Sequence, residues 1–244
     1  MKVVGVIPAR FASVRFPGKP LKKILGKPLL QWVVEGVRDS KSLHKIKVAT
    51  DHPEILQLAE SLGVEGCMTS SELPSGTDRV HAATLNEDAD VVINIQGDEP
   101  LMTGSVVDQL AAPFQSDLDL PMATLGRSLK PGDLESPNTA KVVLNAKDEA
   151  LYFSRFAIPF SRVDVWSLPG ACVKHIGLYA YRPEFLRRFC AQGAVDIEKA
   201  EGLEQLRALY LGARIKLVRV EHDSWGVDTP EDVARVEEIL RSRK

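Results

Sequence analysis

Short apolar runs of strand length alternate along the chain with longer segments whose apolar positions recur every three to four residues. That alternation is the signature of βα units and a largely parallel sheet. Strands are expected at 3–7, 46–49, 64–68, 91–95, 122–125, 139–144, 173–181 and 215–220, and helices at 28–39, 53–62, 75–86, 104–114, 184–190, 198–211 and 231–243. The first half alternates strictly, as a doubly wound α/β fold does. After Asp133 the order loosens, with Pro131-Gly132, Pro137, Pro159 and Pro169-Gly170 punctuating strand-like pieces. The expectation is a single domain over residues 1–244, with an inserted antiparallel or irregular region at about 130–195 that also offers a dimer surface. No internal repeat interrupts this scheme.

Composition narrows the class. A chain of 244 residues with 44 % hydrophobic and 26 % charged residues at a net charge of −2 is neither disordered nor collagen-like. Its apolar runs fall far short of the roughly 18 to 20 residues that a membrane span requires. Met1 leads into Lys2-Val3-Val4-Gly5-Val6-Ile7 without a small-residue cleavage site, so no signal peptide is expected. Cys67, Cys172 and Cys190 are odd in number and lack ligand spacing, which favours three reduced thiols in a cytoplasmic protein over a disulfide framework or zinc site. The balanced charge argues against a nucleic-acid binder, yet it is segregated. Seven of the 31 Lys and Arg residues lie in residues 1–34 with no acid among them, so the remaining 24 stand against all 33 acids.

The basic stretch ends the first strand with Pro8-Ala9-Arg10-Phe11-Ala12-Ser13-Val14-Arg15-Phe16-Pro17-Gly18-Lys19-Pro20. Open α/β sheets bind ligands beyond the carboxyl ends of their strands, so Arg10, Arg15 and Lys19 face a ligand crevice. One such cation reads as a solvated loop residue. Three together, on a loop stiffened by Pro and Gly, suit a polyphosphate. Neither a Walker A loop nor a GxGxxG fingerprint is present, which counts against a nicotinamide-dependent dehydrogenase. Asp98, in Gln96-Gly97-Asp98-Glu99-Pro100, lies just past a buried strand and reads equally as a Mg²⁺ ligand or as an acidic turn closed by Pro100. Gly97 favours the first, because it admits a close backbone approach. In Val227-Asp228-Thr229-Pro230-Glu231-Asp232, capping by Thr229 with Pro230 at the first helical position explains all but Asp228, a candidate second carboxylate. Ser75-Gly76-Thr77-Asp78-Arg79 either starts a helix or supplies hydroxyls and a cation to a nucleotide. Arg155 inside an apolar run, His175 and Tyr179 on one strand face, and Glu201, Glu204 and Gln205 close together on a helix are either core and surface residues or a pocket for a polyhydroxylated acid.

These segments, together with His175-Ile176-Gly177-Leu178-Tyr179 and Leu203-Glu204-Gln205-Leu206-Arg207, resemble the 3-deoxy-manno-octulosonate (Kdo) cytidylyltransferases over essentially the whole chain. The resemblance implies an α/β nucleotidylyltransferase fold of the glycosyltransferase-A type. That fold is a three-layer sandwich with a mainly parallel sheet and an inserted antiparallel, dimerising segment. It also implies a cytoplasmic homodimer that joins CTP to Kdo with release of pyrophosphate, for lipopolysaccharide assembly. By position, Pro8, Ala9, Arg10, Arg15, Lys19, Ser75, Gly76, Thr77, Asp78 and Arg79 would hold the nucleotide. Asp98 and Asp228 would ligate Mg²⁺ and, with Arg10 and Lys19, carry catalysis. Gln96, Arg155, His175, Tyr179, Glu204 and Gln205 would line the sugar site. Phe16 and Ile158-Pro159-Phe160-Ser161-Arg162 look like the branch that activates 8-amino-8-deoxy-Kdo, whereas Gly226-Val227-Asp228-Thr229-Pro230 looks like the ordinary Kdo branch. The alternatives are another acidic sugar as acceptor, or a non-catalytic nucleotide-sugar sensor.

Overall fold

The computed structural model describes residues 1–12 and 16–242. The chain divides into two compact units, residues 1–108 with 224–244, and residues 109–223.

The first unit runs β1 (Val3–Ala9), a ribbon of β2 (Lys23–Ile24) and β3 (Lys27–Pro28), α1 (Leu29–Val37), β4 (Leu43–Thr50), α2 (Pro53–Ser61), β5 (Glu65–Met68), α3 (Gly76–Thr84), β6 (Val91–Asn94) and the first residues of α4 (Gly104–Ala111), whose last three belong to the second unit. β1 is apolar and buried at six of its seven positions, as a parallel strand covered on both faces must be. It pairs in parallel with β4 and β6, and β4 pairs in parallel with β5, giving the order β5-β4-β1-β6. α1 buries Leu29, Leu30, Val33, Val34 and Val37, a stripe at helical spacing. α3 starts where Ser75 Oγ accepts the Asp78 N–H at 3.1 Å, the N-cap contact.

The second unit contains α5 (Pro113–Ser116), β7 (Met122–Arg127), β8 (Lys141–Leu144), β9 (Ala150–Ser154), β10 (Val173–Tyr181), α6 (Pro183–Gln192), α7 (Asp196–Glu201), α8 (Leu206–Tyr210) and β11 (Ile215–Arg219). β10 lies antiparallel to β7 and β8, β8 antiparallel to β9, and β11 parallel to β7. The chain then returns to the first unit through residues 224–229 and α9 (Pro230–Ser242). There Val227, Val236 and Leu240 close a core built on Phe16, Ile24, Leu29 and Leu101.

The mixed α/β class and mainly parallel sheet match expectation, and the antiparallel strands fall where the alternation loosens. The boundaries differ. The second unit begins at residue 109 and ends at 223, wider than the expected 130–195. Its first and last strands in the chain, β7 and β11, pair with each other in parallel and therefore look like further βα units in the sequence. The helix expected over 198–211 is broken at Gly202, which takes the left-handed conformation (φ 60°) that glycine adopts without strain. Glu204 and Gln205 thus occupy the turn before α8 rather than a helix face. α7 and α8 are tied instead by a buried pair, Arg207 Nη2 to Glu198 Oε1 at 2.6 Å.

Candidate active site

The carboxyl ends of β1 and β6 open onto a cleft of about 320 Å³ within the first unit. β1 delivers Pro8, Ala9 and Arg10, the turn after β6 delivers Gln96, Gly97 and Asp98, α3 contributes Gly76 and Arg79, and Lys19 and Asp228 complete the wall. Of the twelve residues expected at the nucleotide and catalytic sites, eight line this one cleft: Pro8, Ala9, Arg10, Lys19, Gly76, Arg79, Asp98 and Asp228. Arg15 lies outside the described residues.

Lys19 is at the centre of the charge arrangement. Gly18, at φ 66°, turns the loop so that its N–H reaches the Phe11 carbonyl at 2.9 Å, and Lys19 opens a short 3-10 turn. The Lys19 ammonium donates to Asp98 Oδ2 at 2.7 Å and Asp228 Oδ1 at 3.2 Å. Burial pulls its pKa down, but the charges and hydrogen bonds of the two aspartates outweigh this and the net direction is up, so Lys19 stays cationic. The two carboxylates therefore converge, as the sequence suggested, and they do so on an ammonium. A pair of hard oxygen donors fits Mg²⁺, which completes its shell with water and phosphate oxygens. Among the described residues no group of three or more His, Cys, Asp or Glu assembles into a fuller metal cage.

Arg79 is buried and pairs with Asp51 Oδ2 at 3.0 Å, and it also donates to the Thr69 hydroxyl. Asp51 Oδ1 accepts the Phe11 N–H at 2.9 Å. One carboxylate thus fixes both a cleft cation and the basic loop. Burial lowers the Arg79 pKa, Asp51 raises it and the charge of Arg10 lowers it further. Two cations placed to repel each other at a cleft wall suit an anionic ligand. Exposed Arg10 donates to the Leu73 carbonyl at 3.1 Å.

Other expected residues have local partners. Ser75 Oγ caps α3 and donates to Asp78 Oδ2 at 2.7 Å, while buried Thr77 accepts from Asn94 Nδ2 at 3.3 Å. Ser75 and Asp78 serve the helix start, Thr77 ties α3 to β6, and Gly76 and Arg79 are the members of 75–79 that line the cleft. Gly97 lines the cleft, and a Cβ there would stand 2.7 Å from the Pro8 carbonyl oxygen, so glycine at this position also admits the close approach of β1.

Within the sugar set, Gln96 lines the first-unit cleft, whereas Arg155, His175, Tyr179, Glu204 and Gln205 belong to the second unit. There Tyr179 donates to Gln205 Oε1 at 3.1 Å, Gln205 Nε2 approaches His175 Nδ1 at 3.5 Å, and His175 Nε2 lies 3.0 Å from Thr124 Oγ1. Thr124 Oγ1 also reaches the Leu178 carbonyl at 2.9 Å. Donors and acceptors match if the His175 proton is on Nε2. Burial pushes the His175 pKa down to about 3, so the ring is neutral at pH 7. The Arg155 guanidinium donates to the carbonyls of Glu201, Pro137 and Gly202. Glu204 Oε1 lies 3.6 Å from Arg207 Nη2.

Asp51 and Glu99 were not singled out from the sequence. Asp51 follows β4 as Asp98 follows β6, and this shared position past a strand end was the available signal. Glu99 accepts from the Ser224 hydroxyl and from the Trp225 N–H at 3.0 Å, a pairing across 126 positions that no local pattern announces.

A family model described as "Cytidylyltransferase" matches residues 4–215. The 3-deoxy-manno-octulosonate cytidylyltransferase of Bdellovibrio bacteriovorus is 55 % identical, over 100 % of this chain and 99 % of that protein. The protein of the same name from Syntrophus aciditrophicus is 44 % identical, over 99 % and 98 %. A solved structure titled CMP:2-keto-3-deoxy-manno-octonic acid synthetase complexed with CTP superposes with a TM-score of 0.93 at 38 % identity, covering 100 % of both chains. This chain is a member of the 3-deoxy-manno-octulosonate cytidylyltransferase family.

Proposed function

We propose that the protein transfers CMP from CTP to the anomeric hydroxyl of Kdo, giving CMP-Kdo and pyrophosphate. The observation that carries this reading is the full-length 55 % identity to a protein of that name, on a chain whose cleft gathers Arg10, Lys19, Asp98 and Asp228. Both substrates are anionic, so attack on the α-phosphorus needs charge neutralisation. Asp98 and Asp228 would hold Mg²⁺, which when bound would lower the pKa of the sugar hydroxyl and clamp the in-line geometry. Lys19, carried by a glycine-turned loop, would exchange its carboxylate partners for phosphate oxygens and, with Arg10, stabilise charge on the departing pyrophosphate. Arg79, held by Asp51, keeps the wall behind the phosphates positive. Arg155, His175, Tyr179, Glu204 and Gln205 are proposed as sugar residues, with neutral His175 acting as a hydrogen-bonding group rather than a cation.

The test is pyrophosphate release from CTP with Kdo, 8-amino-8-deoxy-Kdo or sialic acid as acceptor. Release with Kdo alone or preferentially supports the reading, preference for another sugar moves the substrate, and no release with any acceptor refutes catalysis. We further place the enzyme in the cytoplasm, supplying activated Kdo for lipopolysaccharide, as a homodimer. Among the described residues no helix is long and apolar enough to cross a membrane. Phe156 and Phe160 are 80 % and 91 % exposed, with Val163, Trp166 and Leu168 exposed nearby, an apolar surface of the kind that partners cover. A monomer by light scattering at micromolar concentration would refute the dimer.

A further inference from the structure

We propose that Glu99 is a positioning residue for nucleotidyl transfer, holding the segment that presents Asp228 against the turn that presents Asp98. The inference rests on the reading of Asp98 and Asp228 as the acidic pair of the reaction centre. The two neighbours after β6 have divided tasks. Asp98 turns its carboxylate to Lys19 in the cleft. Glu99, 8 % exposed and not among the cleft residues, turns its carboxylate to the returning chain, accepting from the Ser224 hydroxyl and from the Trp225 N–H at 3.0 Å. The Asp98 carbonyl adds a third tie by accepting the Val227 N–H at 2.9 Å. Asp228 is the next residue. On its other side, Asp232 Oδ2 accepts the N–H groups of Asp228 and Thr229, both at 2.9 Å, and so fixes Asp228 to the first turn of α9.

The chemistry distinguishes this arrangement from ordinary packing. A buried carboxylate is costly unless its oxygens are engaged, and here both oxygens are used on one short segment. Hydrogen bonds to a charged acceptor are shorter and stronger than neutral ones, so they set the segment's position closely. Because Asp98 and Glu99 are consecutive, any shift of one carboxylate relative to the turn is transmitted to the spacing of the reactive pair.

The test uses the full chain with Glu99→Ala, Glu99→Gln, Asp228→Asn, and each Glu99 variant combined with Asp228→Asn. Three quantities are read: kcat and KM for CTP, thermal melting, and Mn²⁺ binding with CTP present and sugar absent, followed by the electron paramagnetic resonance signal of free Mn²⁺. Glu99→Ala is expected to lower kcat on the order of 10²-fold, the cost of a misplacement near 1 Å, while leaving KM for CTP within about threefold. Mn²⁺ affinity should fall roughly 10-fold or more, as for other groups that orient metal ligands. Glu99→Gln, which keeps one acceptor, should fall between Glu99→Ala and the unsubstituted chain. In the Asp228→Asn background either Glu99 substitution should add less than about twofold, because residues that act as one unit are not additive. An equal fold-loss in both backgrounds overturns the proposal, as does kcat within about threefold of the unsubstituted enzyme. If Glu99→Ala does not fold, Glu99→Gln in the two backgrounds decides the same question. Absence of Mn²⁺ binding by the unsubstituted enzyme together with a non-additive kcat cycle would remove the metal assignment and leave Glu99 in place.

Discussion

His175 makes the stability of the second unit depend on acid in a calculable way. The folded ring is buried against Phe153 and Tyr179, and burial holds its pKa near 3 against an ordinary value of 6.5. Because the folded pKa is depressed, the unfolded chain takes up the proton first. The contribution is fully present above pH 6.5 and is lost as pH falls toward 3. At pH 4.5 the folded ring is still neutral while the unfolded one is charged across two pH units, which at 1.36 kcal/mol per unit costs about 3 kcal/mol. The measurement is urea unfolding of the unsubstituted protein and of His175→Gln at pH 7.5 and 4.5. Other titrating groups act on both proteins, so the difference between them isolates His175. The unsubstituted protein should lose about 3 kcal/mol more than the variant between the two pH values. Equal losses in both proteins would refute the burial argument and return His175 to the list of groups able to carry charge at working pH.

Three substitutions in the first unit carry further expected outcomes. Asp51→Ala strands the Arg79 guanidinium in a buried site and should destabilise by about 3–5 kcal/mol; a loss below about 1 kcal/mol in denaturant unfolding would show that Thr69 and water suffice. Gly97→Ala puts a methyl group 2.7 Å from the Pro8 carbonyl and should cost about 1–3 kcal/mol, read as a lower melting temperature with a raised KM for CTP. Lys19→Met should lower kcat more than it raises KM for CTP, an effect confined to KM meaning uniform binding instead. The same substitution frees Asp98 and Asp228 from their shared ammonium, so Mn²⁺ should bind the nucleotide-free variant more tightly than the unsubstituted enzyme in a calorimetric titration.

The parallel strands and the cleft loop could be read directly, because both are local. β1 is a continuous apolar run, and the residues that follow it carry their charges within a dozen positions. Asp98 and Asp228 were visible for a similar reason: each follows an apolar strand run or precedes a capped helix at a position that the cap does not need. What escaped was non-local. The two-residue strands β2 and β3 are too short to show a period, and β9 hid in a run whose alternation is broken by Phe153-Ser154, both buried. The 198–211 segment has helical periodicity throughout, and Gly202 alone decides where it breaks. Ser75 and Asp78 at the helix start, Thr77 against β6, and Gly97 between the cleft and β1 are residues that suit either a packing or a ligand role. Only the partner across the fold chooses between the two.

The first unit is discontinuous in the chain, and this has a consequence for synthesis on the ribosome. Phe16, Ile24, Leu29 and Leu101 are made early, but Val227, Val236 and Leu240, which close their core, emerge only after all of residues 109–223. At roughly 5–20 residues per second, that apolar surface waits on the order of ten seconds for its lid. The nascent chain therefore has a defined window in which a chaperone would find this face open. Asp228 arrives with the same returning segment, so a prematurely ended chain carries the basic loop without the second carboxylate.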